Sequence, residues 1–485
     1  MKKYLVRYSE IGLKTKKVRG LMETRLISNA MKTIHNDGKN ATALRERGRI
    51  YFDSPDDLSD QLSRVMGIKS FSEVITLNFQ DADEIIRKGV EIYADRVRGK
   101  SFAVNSRRMG THNFTSMDID RALGEALLDF ARCVDIHNPE VRVELEIREQ
   151  VCYFLMDKTK GPGGLPVGTE GKFLALVSGG IDSPLATWLM LKRGSPVDML
   201  FISLADPVDT KQFLEKAQIL YKQWYSGYNP KIFIVDASRL VDEYLYTGKM
   251  KFANVSFKKV LYNIAEMIAR REKVYGIITG ESSGQVSSQT PENLFELSRN
   301  MEFQVIRPLI GMDKDWIMDF ARSIGTFQND SSEEFCALFS EKPITKIKRE
   351  ELEEDMNRLS DYLPDTSEIM EIRGTDIENL LNSLRNEQDF KIKSLEQIPP
   401  HSIIADVRDP LAYKNGHPEG AINVNKANLN ELIDSLTEKD TVIFYCKKGL
   451  QSASYAGKLR NKGFNAYYAD ESVIMNQRKD NISSP

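Results

Sequence analysis

The sequence predicts a multidomain chain: an α+β front end, a central α/β domain around a parallel sheet, and a smaller α/β domain at the C-terminus. Three observations predict it. The chain has 485 residues, room for several domains at ~100–200 residues each. Apolar runs alternate with helical segments over residues 172–340 and again over 396–485, the rhythm of parallel sheets covered on both faces. Before residue 160 strands and helices mix without that rhythm, and Gly161-Pro162-Gly163-Gly164 then breaks the pattern.

Taken in order, Tyr4–Tyr8 reads as a strand, Arg19–Ile34 as a helix and Arg49–Phe52 as a second strand, which makes residues 1–58 a small α+β unit. Residues 59–160 carry helices at Ala82–Val97 and Ser116–Ala131 and strands at Ser101–Ser106, Glu140–Ile147 and Val151–Met156. In the central domain, strands at Phe173–Val177, Val197–Ser203, Ile232–Asp236, Val274–Gly280 and Val305–Ile310 are separated by helical stretches. Residues 341–395 are highly charged and read as a helical linker. Strands at Ile403–Val407, Thr441–Tyr445 and Ala466–Ala469 then restart the α/β pattern.

Composition excludes several classes. With four cysteines, Cys133, Cys152, Cys336 and Cys446, the chain is no secreted disulfide scaffold. No CxxC pair or Cys/His cluster predicts a resident metal site. The N-terminus lacks the apolar core of a signal peptide, and no run approaches the ~20 apolar residues of a membrane span. A cytoplasmic protein that does not bind membranes is expected. The net charge of −3 hides an uneven distribution: residues 1–50 hold 13 Lys/Arg against 4 Asp/Glu. A basic front end is a footprint that could meet phosphates, though a solvated surface would look the same.

Residues 173–184 are FLALVSGGIDSP. A strand runs into Ser178, Gly179, Gly180, Ile181, Asp182 and Ser183, and a helix is expected to begin at Pro184. Proline suits a first helical turn because its missing N–H has no partner there. Glycines let backbone amides approach an anion, and the helix N-terminus adds unpaired N–H groups. Asp182 can assist Mg²⁺ or orient a loop amide. A departing pyrophosphate needs such stabilisation of developing charge. A Gly-Gly turn alone is usually only a turn, and this string is not a GxxxxGK[ST] loop. It resembles the SGGxDS loop of ATP-pyrophosphatases, which cleave ATP between the α- and β-phosphates. Residues 279–290, TGESSGQVSSQT, follow another strand end, where ligands sit in open α/β sheets.

Residues 441–452 are TVIFYCKKGLQS. Cys446 stands between a strand and a helix expected near Ser452. Loop amides, the helix dipole, Lys447 and Lys448 would favour a thiolate, whereas a lone cysteine is usually an inert buried thiol. With Asp406-Val407-Arg408-Asp409 and Gly416-His417-Pro418-Glu419-Gly420-Ala421-Ile422-Asn423, this segment resembles a rhodanese domain, in which the loop cysteine carries a persulfide. Gln451 departs from the second basic residue of many such loops.

Arg7-Tyr8-Ser9-Glu10-Ile11-Gly12-Leu13-Lys14, Arg107-Arg108 before the Ser116 helix, Gly164-Leu165-Pro166-Val167-Gly168 and Met312-Asp313-Lys314 extend the likeness. The chain resembles the tRNA 4-thiouridine sulfurtransferases, called ThiI. The resemblance implies a ferredoxin-like domain at 1–58, a THUMP domain at 59–160, an ATP-pyrophosphatase domain at 172–340, the linker at 341–395 and a rhodanese-like domain at 396–485. It implies that ATP lies against Leu176, Val177, Ser178, Gly179, Gly180, Ser183, Phe201, Ile202, Lys258, Gly280 and Gln289. Lys258 stands where the family often has arginine. The resemblance gives catalytic roles to Asp182 and Lys314, to Cys446 as persulfide carrier and to Cys336, in Glu333-Glu334-Phe335-Cys336, as second relay cysteine. It implies ATP with Mg²⁺, tRNA, a cysteine desulfurase, a thiamine-pathway sulfur carrier protein and a thiol reductant. Oligomeric state stays open, a homodimer included. So do three rivals: an adenylating ligase or a sulfurtransferase for a different nucleotide, a sulfur hub for thiamine synthesis, and a non-catalytic RNA-binding module.

Overall fold

The computed structural model describes residues 1–46, 49–203, 207–237, 240, 252–327, 344–360, 363, 369–386, 395, 398–408, 413–414, 416–424, 428–437, 439–446, 450–460, 462–470 and 473–474. They form two compact units: Met1–Gly171 with Leu189–Pro196 and Lys222–Tyr228, and Lys172–Trp188 with Val197–Tyr221 and Asn229–Pro485.

The first unit is built on one nine-stranded sheet. Its strands are β1 (Lys2–Arg7), β2 (Thr42–Glu46), β3 (Arg49–Ser54), β4 (Ser70–Asn78), β5 (Ser101–Met109), β6 (Cys133–Val134), β7 (Val141–Arg148), β8 (Val151–Leu155) and β9 (Thr159–Lys160). They lie in the order β2-β3-β1-β4-β8-β7-β5-β6, with β9 also on β4. The sheet continues past the expected division at residues 58 and 59. Strand β4 makes this happen: Ser70–Val74 pair antiparallel with β1, and Val74–Asn78 with β8. The helix Lys16–Asn36 covers one half, burying Leu26, Ala30 and Ile34 with Ile50, Phe52 and Phe71. Helices Ala82–Val97 and Ser116–Leu128 cover the other, packing Tyr93, Leu123 and Leu127 with Phe102, Leu145 and Phe154. Both have sequence-encoded starts: Asp81 accepts from the Glu84 N–H, and Thr115 and Asp118 form a capping box.

In the second unit, β10 (Phe173–Leu176), β11 (Val197–Ser203), β12 (Lys231–Asp236), β13 (Gly276–Ile278) and β14 (Gln304–Ile306) run parallel in the order β14-β13-β10-β11-β12. The chain steps outward from β10 to β12, then returns to the other side of β10. That reversal places a crevice beyond the carboxyl ends of β10 and β13, where such sheets bind ligands. The helix Ala253–Glu272 packs Val260, Ile264 and Ile268 against Leu174, Leu200 and Phe233.

A sixth strand, β15 (Ile369–Arg373), joins antiparallel to β12. It lies in the segment expected to be a helical linker, which is therefore partly strand and part of this sheet. The helix Arg349–Leu359 in the same segment buries Leu352 and Leu359. Its charged composition conceals a narrow apolar stripe, with Leu352, Met356 and Leu359 at i, i+4 and i+7.

The last sheet holds β16 (Ile403–Asp406), β17 (Ile422–Asn423), β18 (Thr441–Cys446) and β19 (Asn465–Asp470), parallel in the order β17-β16-β18-β19. Ala405, Val442, Phe444, Ala456 and Leu459 form its core. No helix among the described residues is long and apolar enough to cross a membrane.

Candidate active sites

The phosphate loop leaves β10 at Val177, whose N–H still bonds the Leu200 carbonyl at 2.8 Å. Its helix begins at Asp182 rather than Pro184; the proline then falls in the first turn, where its missing N–H costs nothing. The loop is cross-braced. Ser183 Oγ accepts the Ser178 N–H at 2.8 Å and lies 3.1 Å from Ser178 Oγ, while the Gly180 N–H reaches Ser178 Oγ at 3.3 Å.

Distant parts of the chain complete the site. Lys314 Nζ donates to both oxygens of Asp182, at 2.9 and 3.2 Å, and Gln285 Nε2 donates to Oδ2 at 2.9 Å. Lys314 opens the helix Lys314–Ser323, whose cap is Asp313 accepting the Trp316 N–H at 2.9 Å. Gly280, after β13, must be glycine: a Cβ there would stand 2.5 Å from the Ser183 nitrogen and 2.8 Å from the Asp182 carbonyl carbon. The two small-residue loops thus touch through backbone. Gln289 is buried and accepts the Ser282 N–H at 3.1 Å, which makes it a brace for the second loop.

Lys258 meets a carboxylate. Its Nζ lies 3.0 Å from Glu281 Oε1. Glu281 is 3% exposed and also accepts from Tyr262 Oη at 2.5 Å, Thr279 Oγ1 at 3.0 Å and Arg307 Nε at 2.7 Å. Burial raises its pKa, but the adjacent Lys258 and Arg307 cations more than reverse this and hold it at about 2. Phe201 and Ile202 end β11 with buried side chains: Phe201 stacks on Phe213 at 4.5 Å, and Ile202 joins the core with Phe233 and Val235. Leu176 packs on the same core, and Val177 is buried.

Sequence reasoning missed Gln285, Arg307, Glu281 and Lys216. Gln285 and Glu281 stand inside the TGESSGQVSSQT string, so the string located them without giving them roles. Lys216 had no local signal. It is buried on the helix Pro207–Trp224, and its Nζ donates to the Gly179 carbonyl.

The cysteine site lies at the carboxyl end of β18. Cys446 is 5% exposed, and its Sγ is 3.5 Å from Ser452 Oγ on the helix Leu450–Arg460. The upstream motif supports it from β16. Asp406 is fully buried, and Arg408 Nη2 donates to it at 2.6 Å, to Tyr445 Oη at 3.2 Å and to the Gly416 carbonyl at 2.7 Å. Tyr445 Oη donates to Asp406 Oδ2 in a very short bond. Asn423 Nδ2 reaches the carbonyls of Asp406 and Arg408 at 3.0 and 2.9 Å. Lys447, Lys448 and Cys336 lie outside the described residues.

The phosphate loop lies at the switch point of one α/β sheet, and the cysteine at the end of a strand in another. Family models match along the chain: the ThiI ferredoxin-like domain over residues 3–72, the THUMP domain over 79–157, Thiamine biosynthesis protein (ThiI) over 168–360 and the Rhodanese-like domain over 390–473. The tRNA sulfurtransferase of Thermoplasma acidophilum is 42% identical over 97% of this chain and 95% of its own. That of Thermoplasma volcanium is 42% identical over 99% and 98%. A crystal structure of a 4-thiouridine synthetase–RNA complex with bound ATP superposes with a TM-score of 0.64 at 28% identity, covering 80% of this chain and 98% of that one. The chain belongs to the tRNA sulfurtransferase family.

Proposed function

We propose that this enzyme makes 4-thiouridine in tRNA by adenylating uridine 8 with ATP and exchanging its C4 oxygen for sulfur carried on Cys446. The observation that carries the reading is the assembled phosphate loop. Asp182 and Lys314, 132 residues apart, meet at its mouth, on a chain that also presents Cys446 at a strand end. The likeness to a synthetase crystallised with RNA and ATP supports it.

The chemistry divides between the two loops. The C4 oxygen attacks the α-phosphate of ATP, and pyrophosphate leaves into the amides of Ser178–Ser183. Lys314 holds Asp182 in place and adds positive charge at the reacting phosphates. Among the described residues no group of three acidic or His/Cys side chains could cage a metal ion. Asp182 alone fits a Mg²⁺ carried mainly by the nucleotide phosphates, which would help neutralise the departing charge.

The outer sulfur of a Cys446 persulfide then attacks C4, and AMP departs with the former carbonyl oxygen. The Cys336 thiolate attacks the Cys446 sulfur, which frees 4-thiouridine and leaves a Cys336–Cys446 disulfide. A thiol reductant supplies the two electrons that restore both thiols. A cysteine desulfurase would reload Cys446, and the same persulfide would serve a thiamine-pathway carrier protein. The N-terminal unit would grip tRNA by phosphate and shape, in the cytoplasm.

Mass spectrometry of nucleosides and of oligonucleotide fragments from tRNA incubated with the protein, ATP and a persulfide source tests the reading. The expected product is 4-thiouridine at position 8, absent without ATP. A thionucleoside elsewhere, or none, overturns it.

A further inference from the structure

Lys216 is 1% exposed on the helix Pro207–Trp224. Lysine is almost never buried unless its charge has a use or a partner, because desolvating an ammonium costs several kcal/mol. Here the buried Nζ ends on the main-chain carbonyl of Gly179, inside the phosphate loop and 37 residues away.

That contact orients a peptide. In a trans peptide unit the C=O and the following N–H point to opposite sides. With the Gly179 carbonyl drawn to the ammonium, the Gly180 N–H is turned away from it. Among the described residues this N–H reaches Ser178 Oγ, at 3.3 Å, longer than the usual N–H···O separation of about 2.9–3.0 Å. A weakly held donor of this kind is readily taken over by an ionised oxygen, which makes the shorter and stronger bond.

We propose that Lys216 is a positioning residue for pyrophosphate, holding the Gly179–Gly180 peptide from beneath so that its N–H serves the anion. It acts through the backbone, unlike a lysine that reaches over a loop to touch phosphate directly. The ammonium adds positive charge behind the same peptide, and both effects favour pyrophosphate over the nucleoside end of ATP. The inference rests on the reading of this loop as the pyrophosphate site.

Calorimetric titration of the full chain with inorganic pyrophosphate, and separately with AMP, tests it. Lys216→Met keeps the length of the side chain and removes donor and charge. It is expected to weaken pyrophosphate binding about tenfold, the scale of one charge-assisted bond, and to leave AMP binding unchanged. Lys216→Arg should restore most of the loss. Unchanged pyrophosphate binding in Lys216→Met overturns the inference, as does equal weakening of both ligands, which a general loss of packing would give. Should Lys216→Met not fold, Lys216→Gln, which keeps an N–H donor without charge, must show a smaller loss confined to pyrophosphate; no loss, or equal loss of both ligands, overturns the inference. A wild-type chain that binds AMP but no pyrophosphate removes the reading of the loop itself, and Lys216 falls with it. Wild-type binding that persists in Lys216→Met removes Lys216 alone.

Discussion

Strands β10 and β18 are both buried parallel strands that lead toward a helix, β10 through the phosphate loop to the helix Asp182–Lys192 and β18 from Cys446 to the helix Leu450–Arg460. What braces them differs. The phosphate loop draws on residues as distant as Gln285 and Lys314, 103 and 132 positions from Asp182, besides Lys216 on a nearer helix. Cys446 is held within its own small sheet and helix, where Tyr445 beside it meets Asp406 on β16 and its Sγ meets Ser452 six positions on. The proposed activating site is therefore assembled from several segments of the central domain, and is expected to respond to changes at each. The cysteine site draws its contacts from its own small sheet and helix, and is expected to behave as a separate module.

The largest effects should come from cutting each loop at its reacting group. Cys446→Ala is expected to reduce 4-thiouridine to background while tRNA-dependent pyrophosphate release continues. Asp182→Ala should slow pyrophosphate release by roughly 100-fold or more, the scale of disrupting one electrostatic contribution at a reacting phosphate, here the carboxylate that orients Lys314 and would hold Mg²⁺, while Cys446 still loads persulfide from a desulfurase. Pyrophosphate assays and intact-protein mass spectrometry read the two halves separately. If Asp182→Ala also prevents persulfide loading, the cysteine loop is no independent module.

A smaller effect probes the frame of the central domain. Glu281 ties the helix Ala253–Glu272, through Tyr262 and Lys258, to Arg307 just after β14. Its folded-state pKa of about 2 lies below the value of about 4.3 for an unfolded glutamate. The resulting stability is present in full above the unfolded pKa and is lost as pH falls toward the folded one. Glu281→Gln should therefore be less stable by about 3 kcal/mol near neutral pH, with the gap closing between roughly pH 4 and pH 2. Hydrogen exchange at β13 amides across that range measures it. A gap that ignores pH would mean that shape, not charge, holds the frame.

The same contrast explains how far the sequence could be read. Apolar runs located β10, β11 and β12, because strands covered on both faces admit little else. The SGGIDS string and the cysteine between strand and helix were visible because local spacing carries them. The pairing of Asp182 with Lys314 was not visible in spacing, since it depends on the strand order around β10; only the resemblance joined those residues. Lys216 looked like any solvated helix lysine, because nothing in one sequence tells a helix face turned toward a loop from one turned toward water. Strand β15 and the helix Arg349–Leu359 hid behind eleven acidic residues between 350 and 378. Strand β4 escaped because it serves both halves of the first sheet, so its alternation answers to two cores at once.

The smallest effect tests the module from its far side. Neighbouring residues on a strand face opposite ways. Cys446 packs with Phe444 and Ala405, while Tyr445 packs with Ile443 and Ala469 on the other face. The Tyr445 hydroxyl meets Asp406 and Arg408 and is held protonated by burial and by the Asp406 carboxylate. Tyr445→Phe removes the bond donated to Asp406 and the longer one accepted from Arg408, while Arg408 keeps its own bond to Asp406, a loss of about 1 kcal/mol. Amides of β16 and β18 should then exchange roughly fivefold faster, while 4-thiouridine formation stays within about twofold of wild type, because Arg408 and Asn423 still fasten β16 to its neighbours. A tenfold fall in thiolation with unchanged exchange would place Tyr445 in the path of the sulfur. Cys446 would then depend on a group across the sheet, and its loop would be as distributed as the one at Ser178.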